Sequence, residues 1–140
     1  MNFAVNDYIC ITKQCCMENS IRITNGGITI KVSVFLFVEG KTRIAFCPSL
    51  DLCGYGASES DAKADFEYVI TDWFSTQVAN NTLKEDLRKH GWTLQDEHVA
   101  IEPSMSTVLR RSSQLKEIVK SDFKKHNMRR RIAVPLSSFA

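Results

Sequence analysis

The first strong pattern in the chain is Ile28 to Val38, where Ile28, Ile30, Val32, Val34, Leu36 and Val38 alternate with Thr29, Lys31 and Ser33. A period of two places those six apolar residues on one face of a β-strand. Phe35 and Phe37 are apolar on the opposite face, so that end of the strand is expected to be covered on both sides. Glu39-Gly40-Lys41-Thr42 reads as a hairpin turn, with Gly40 able to take a positive φ. Arg43 to Cys47 reads as the returning strand, with Ile44 and Phe46 sharing a face. Pro48 ends it, because proline has no amide hydrogen to give a ladder. Ser49 to Ala57 reads as a loop.

The period then lengthens. Ala62, Phe66, Val69, Ile70, Trp73, Phe74 and Val78 recur at steps of three and four, the apolar stripe of a long helix laid on a sheet. Ser58 is its expected N-cap, with Asp61 at the capping-box distance. Asp65, Glu67 and Asp72 interleave with the stripe and read as a solvated face. Asn80-Asn81 breaks the pattern. Thr82 is expected to cap a short second helix through Thr-x-x-Glu with Glu85, ending at Gly91, with His90 beside the last carbonyls. Trp92, Leu94 and His98 to Ile101 read as extended chain, stopped by Pro103. Val108, Leu115, Ile118, Val119 and Phe123 trace a narrower stripe over Ser104 to Phe123, one amphipathic helix or two pieces broken near Ser112-Ser113. Arg129 to Pro135 reads as a final strand.

This order predicts an α+β fold, a mainly antiparallel sheet with a long helix packed on it and a C-terminal helix and strand. Residues 1–20 show no clean period. They read as a short strand or as sequence upstream of a start at Met17. Residues 21–102 form the body, and residues 103–140 a basic helix and strand packed on it.

With 140 residues, 44% hydrophobic and 24% charged, the chain suits one domain that needs no disulfide or metal to hold its core. The net charge of +2 conceals an asymmetry: residues 1–109 carry 9 Lys+Arg against 14 Asp+Glu, and residues 110–140 carry 9 against 2. Any functional account must therefore explain a basic C-terminal segment. Cys10, Cys15, Cys16, Cys47 and Cys53 are odd in number and contain no Cys-x-x-Cys pair. Without a secretory signal they point to the cytoplasm and to ordinary thiols. The longest wholly apolar run, Val34 to Val38, is far short of the roughly 18 residues a membrane helix needs, so no membrane partner is expected.

Catalytic chemistry is not apparent. His90, His98 and His126 lie in no recognisable nucleophile–base arrangement and are not spaced from the cysteines like a zinc site. Gly54-Tyr55-Gly56 precedes a helix, but the third glycine of a dinucleotide loop and the lysine of a P-loop are missing. No catalytic, metal or cofactor residue is assigned.

The stretch Phe46 to Ala62 resembles the signature of HicB-type antitoxins of toxin–antitoxin systems. Pro48 stands for the loop proline, Gly56 precedes the cap, Ser58 replaces the usual threonine, and Asp61-Ala62 match a Glu-Ala pair. Asp51, Gly54 and Tyr55 match the Leu-Asp-Leu-x-Gly-Tyr-Gly style of loop in longer relatives. The resemblance covers about residues 28–80 and extends through Thr82 to Trp92. It implies a partial ribonuclease-H-like fold without catalytic acids and a HicA-type mRNA-cleaving toxin as partner; a homo-oligomer through sheet edges or helix faces is expected beside it. Relatives often add a helix-turn-helix or ribbon-helix-helix module. Only nine residues follow Arg131, too few for the latter, so autorepression is not expected.

The leading expectation is a non-catalytic, antitoxin-type binding protein. The alternative is a nucleic-acid-binding module or transcriptional regulator using Arg110, Arg111, Lys120, Lys124, Lys125, Arg129, Arg130 and Arg131. Against that alternative stands a solvated helix face plus an edge strand protected by its arginines.

Overall fold

The computed structural model describes residues 19–24 and 26–133. The expectations for residues 1–18, including a start at Met17, and for Val134-Pro135 lie outside the described residues. The chain runs through β1 (Ser20–Thr24), β2 (Gly27–Glu39), β3 (Thr42–Cys47), β4 (Leu52–Gly56), α1 (Glu59–Ala79), α2 (Leu83–Lys89), β5 (Thr93–Leu94), β6 (Val99–Ile101), α3 (Met105–Arg111), α4 (Ser113–Ile118) and β7 (Phe123–Ala133). The seven strands form one sheet in the order β4-β3-β2-β1-β6-β5, with β7 also on β2. Every pairing is antiparallel, so the fold is α+β.

β2 organises the sheet. β7 pairs with it from Gly27 to Phe37, and a strand has only two edges. β1, on Gly27 to Ile30, and β3, on Phe35 to Glu39, must therefore share the other edge at its two ends. The gap between them is closed by a side chain: the Ser33 amide donates to Glu102 Oε2 at 3.1 Å. This satisfies a backbone donor that would be costly to bury alone.

Each sheet face carries its own core. The even-numbered residues of β2 lie under α1, with Ile28, Ile30, Val32, Val34 and Leu36 against Ala62, Phe66, Ile70, Phe74 and Val78. Burying a side chain such as Phe66 contributes about 1.5–3 kcal/mol. On the other face α3 and α4 bring Val108, Leu115 and Ile118 onto Phe35, Ile44 and Phe46. The expected two-sided covering of β2's far end is thus present, although Val38 is half exposed.

Several boundaries differ from the sequence reading. Residues 52–56, expected as loop, form β4, paired with β3 from Cys47↔Leu52 to Arg43↔Gly56. Two glycines in five residues hid it. They are there because α1 presses on the strand: a Cβ on Gly54 would lie 2.4 Å from the Phe66 amide nitrogen, and one on Gly56 2.6 Å from that of Ala62. The basic helix is two helices, because Ser112 leaves helical geometry and its hydroxyl accepts from the Leu115 amide at 3.0 Å. The last strand begins at Phe123, well before Arg129, on a polar stretch with no apolar alternation to announce it. Ser58 caps α1 as expected, accepting from the Asp61 amide at 3.1 Å. Thr82 makes no capping bond; its hydroxyl donates to Gln77 Oε1 at 2.5 Å.

Candidate binding surfaces

The signature stretch is a structural device in this fold. Pro48 ends β3 and begins a turn in which Asp51 takes φ +57°, a left-handed conformation that a short polar side chain tolerates. Ser49 is buried in that turn, its carbonyl accepting from Trp92 Nε1 at 2.8 Å and its hydroxyl donating to Glu102 Oε2 at 2.5 Å. Gly54 and Gly56 admit α1, Ser58 caps it and Ala62 is fully buried beneath it. Tyr55 points outward, 55% exposed, while its amide donates to Asp65 Oδ2 at 2.8 Å. Neighbouring Cys53 raises the Tyr55 hydroxyl above its ordinary pKa.

On the outer side of α1, Tyr68 is 72% exposed. Asp65, linked to the Tyr55 amide, lies one turn before it, and Asp61 and Asp72 are exposed nearby on the helix. An exposed tyrosine of this kind offers the amphipathic contact area enriched at protein-binding faces; Tyr55 lies on the other side of the sheet, across from Ile44 and next to Cys53.

The eight basic residues expected to act together are separated by the structure. Lys124 and Arg130 face α1: Lys124 Nζ lies 3.1 Å from Glu59 Oε1, and Arg130 donates to Glu67 Oε1 at 2.7 Å and to Thr71 Oγ1 at 3.1 Å. The Lys124 contact, with Lys63 beside it, holds the Glu59 carboxyl below its ordinary pKa. Arg111 reaches the C-terminal end of α2 and donates to the Lys89 carbonyl at 2.8 Å, a favourable place for a cation. Lys120 pairs with Glu117 in the open, and Arg110 is exposed on α3.

Lys125, Arg129 and Arg131 point to the other side of the sheet. There the register brings up two residues the sequence reading had passed over, Arg22 and Lys31. Arg131 and Arg22 flank Thr29 in one cross-strand row, and Arg129 stands directly opposite Lys31 in the next. Arg131 Nη1 also reaches Thr24 Oγ1 at 3.4 Å. β1, β7 and β2 before Glu39 contain no Asp or Glu. The missed signal was the alternation itself: Lys31 is a polar residue of the β2 pattern, and its face was specified before its partners were known.

Between these rows and Lys125 lies a polar seam. Glu102, half buried, accepts from the Ser33 amide and hydroxyl, the Ser49 hydroxyl and Asn19 Nδ2, while Asn19 also donates to Asn127 Oδ1 at 3.2 Å. A groove of about 400 Å³ runs over it, lined in part by Pro103, Ser104 and Lys125. Burial, and then the Glu102 charge, push the nearby Cys47 thiol up to about 12. Half burial raises Cys53 as well, so neither is set up as a thiolate nucleophile. Among the described residues no group of His, Cys, Asp and Glu has a metal-holding arrangement, and no helix is long and apolar enough to cross a membrane. Comparison with known proteins finds no matching family model, no matching curated protein and no matching solved structure.

Proposed function

We propose that this chain is a non-catalytic, HicB-like antitoxin-type binding protein that neutralises a small basic mRNA-cleaving toxin of the HicA type by direct contact. The observation that carries the reading is the outer face of α1, where exposed Tyr68 sits among Asp61, Asp65 and Asp72. Such a face supplies rigid aromatic contact area within a field complementary to a basic partner. The Phe46–Ala62 resemblance supports the same class, because its residues build the strand, turn and capped helix that present this face. The hairpins β2–β3–β4 followed by α1 are likewise the part that favours a partial ribonuclease-H-like fold.

The test is co-purification of the full chain from its native host, with inspection of the adjacent reading frame. A small basic protein is expected to co-purify, and its toxicity on expression should be relieved by the wild-type chain. Tyr68→Arg combined with Asp72→Lys should weaken the complex at least a hundredfold without loss of fold by circular dichroism. Absence of both a basic partner and a toxin-like neighbouring frame overturns the proposal.

A further inference from the structure

We infer that the outer edge of β7, from Phe123 to Arg129, is a docking site for an acidic extended segment of a partner protein, which joins the sheet there as a further strand. This goes beyond the antitoxin reading, whose basic partner is assigned to α1. One hydrogen bond fixes which way the backbone groups point. The Ser33 amide reaches Glu102 on the side of β2 shared by β1 and β3, so odd-numbered residues of β2 turn their amides and carbonyls that way. Even-numbered residues turn theirs to β7. With Val34 opposite His126 and Val32 opposite Met128, it is the even-numbered residues of β7 that bond to β2. Lys125, Asn127 and Arg129 therefore direct their amides and carbonyls away from the sheet, at steps of about 6.8 Å. The same alternation, carried through β3, turns the Tyr55 amide outward on β4, where Asp65 receives it.

Among the described residues β4, β5 and β7 are the strands with an unpaired edge. The first two are closed by simple means: β5 has two residues, and β4 has five, with its Tyr55 amide held by Asp65. β7 pairs with β2 one residue to one, without a bulge, and Phe123 to Arg129 contains no proline. Its guard is positive charge. Lys124 is answered by Glu59, whereas Lys125 and Arg129 have no ion-pair partner among the described residues. That charge excludes one occupant and selects another. A second copy pairing antiparallel about Lys125 or Arg129 sets that residue against itself, and about Asn127 sets Lys125 against Arg129; like charges directly opposite are destabilising. A strand with carboxylates at alternate positions meets both cations on one face while its backbone extends the ladder. Glu102 lines the groove beside Lys125, but its oxygens already accept from Ser33, Ser49 and Asn19. It also lies across β2, roughly 10 Å or two strand spacings from this edge. Phe123 is packed on Phe35, with 5.5 Å between ring centres, and so anchors the start of the edge.

The experiment titrates the full chain with a fluorescent peptide of about nine residues, enough to span the edge, in which glutamate alternates with valine. Binding is read by anisotropy and amide exchange by NMR. The peptide should bind saturably and slow exchange at Lys125, Asn127 and Arg129, while His126 and Met128, already bonded to β2, change little. Two N-methylated versions keep the charge and separate strand addition from electrostatic adsorption. Methylating the glutamate amides, which face β7 when the carboxylates meet Lys125 and Arg129, should weaken binding by about tenfold or more. Methylating the valine amides, which face away, should leave it within about twofold. Asn127→Pro removes an outward amide, the position where an edge strand tolerates proline; it should keep the fold in a thermal melt and lose about tenfold in affinity relative to Asn127→Ala. Should the proline variant not fold, the two methylated peptides decide the matter on wild type. Lys125→Glu with Arg129→Glu should also weaken binding by about tenfold or more. No binding of the acidic peptide, equal binding of a lysine–valine peptide, equal effects of the two methylation patterns, or protection of this edge by a single-stranded RNA and not by the peptide each overturns the inference.

Discussion

Arg129 and Arg130 are neighbours in sequence and do different work. Arg130 turns toward α1 and is held by Glu67 and Thr71, whereas Arg129 turns away and meets Lys31 across the strand. The same division runs through all of β7. Its α1 side carries Lys124, Met128, Arg130 and Ile132, which attach the helix through ion pairs and apolar contact. Its other side carries Lys125, Asn127, Arg129 and Arg131, all exposed. A basic run that looks uniform in sequence is therefore half structural and half displayed. An acidic, tyrosine-bearing helix and a basic sheet lie on opposite sides of one layer.

The largest effect should come from loosening the helix side. Phe66→Ala empties a fully buried position beneath α1 and should cost about 3–5 kcal/mol in denaturant unfolding. A loss confined to the fraying of α1 would show that the two faces fold independently. Next, Glu102→Ala leaves the buried Ser33 amide and Ser49 hydroxyl without their acceptor. It should cost about 2–3 kcal/mol, with faster amide exchange at Ser33 by NMR. Smaller again, Arg130→Ala should cost about 1 kcal/mol for a half-exposed ion pair, while Arg129→Ala stays within about 0.5 kcal/mol. Equal losses at these neighbours would remove the contrast between the faces.

The smallest effect concerns pH. Because Lys124 lowers the Glu59 pKa, the stabilising contact is fully present above the ordinary carboxylate value of 4.5. It is lost as pH falls through the lowered folded value. In Lys124→Ala the Glu59 titration, followed by NMR, should move back toward 4.5 and stop only where Lys63 alone holds it.

The strand and helix periods made β2, β3 and α1 legible from sequence, because each buries one regular stripe. β4 escaped notice because its glycines make room for backbone and leave no side-chain pattern. The polar start of β7 escaped because its alternation is between two kinds of polar residue, one answering α1 and one facing outward. The basic face was only half visible: Lys125, Arg129 and Arg131 stood out as a cluster, but Arg22 and Lys31 join them solely through register. The polar seam was invisible for the same reason, since Asn19, Ser33, Ser49, Glu102 and Asn127 come from five separate parts of the chain.

The shared edge of β2 also bears on how the molecule is made. Gly27 pairs with Ala133 and Phe37 with Phe123, so the longest ladder of the sheet closes only after the last described strand has left the ribosome. Until then Ile28 to Phe37, rich in β-branched and aromatic residues, presents a bare edge with Lys31 as its single charge. Such a segment invites pairing with other chains. Distant pairing of this kind places folding toward the slow end, about milliseconds to seconds. Prompt completion of β7 thus serves solubility during synthesis, and ribosomes stalled before Phe123 should release chains that aggregate.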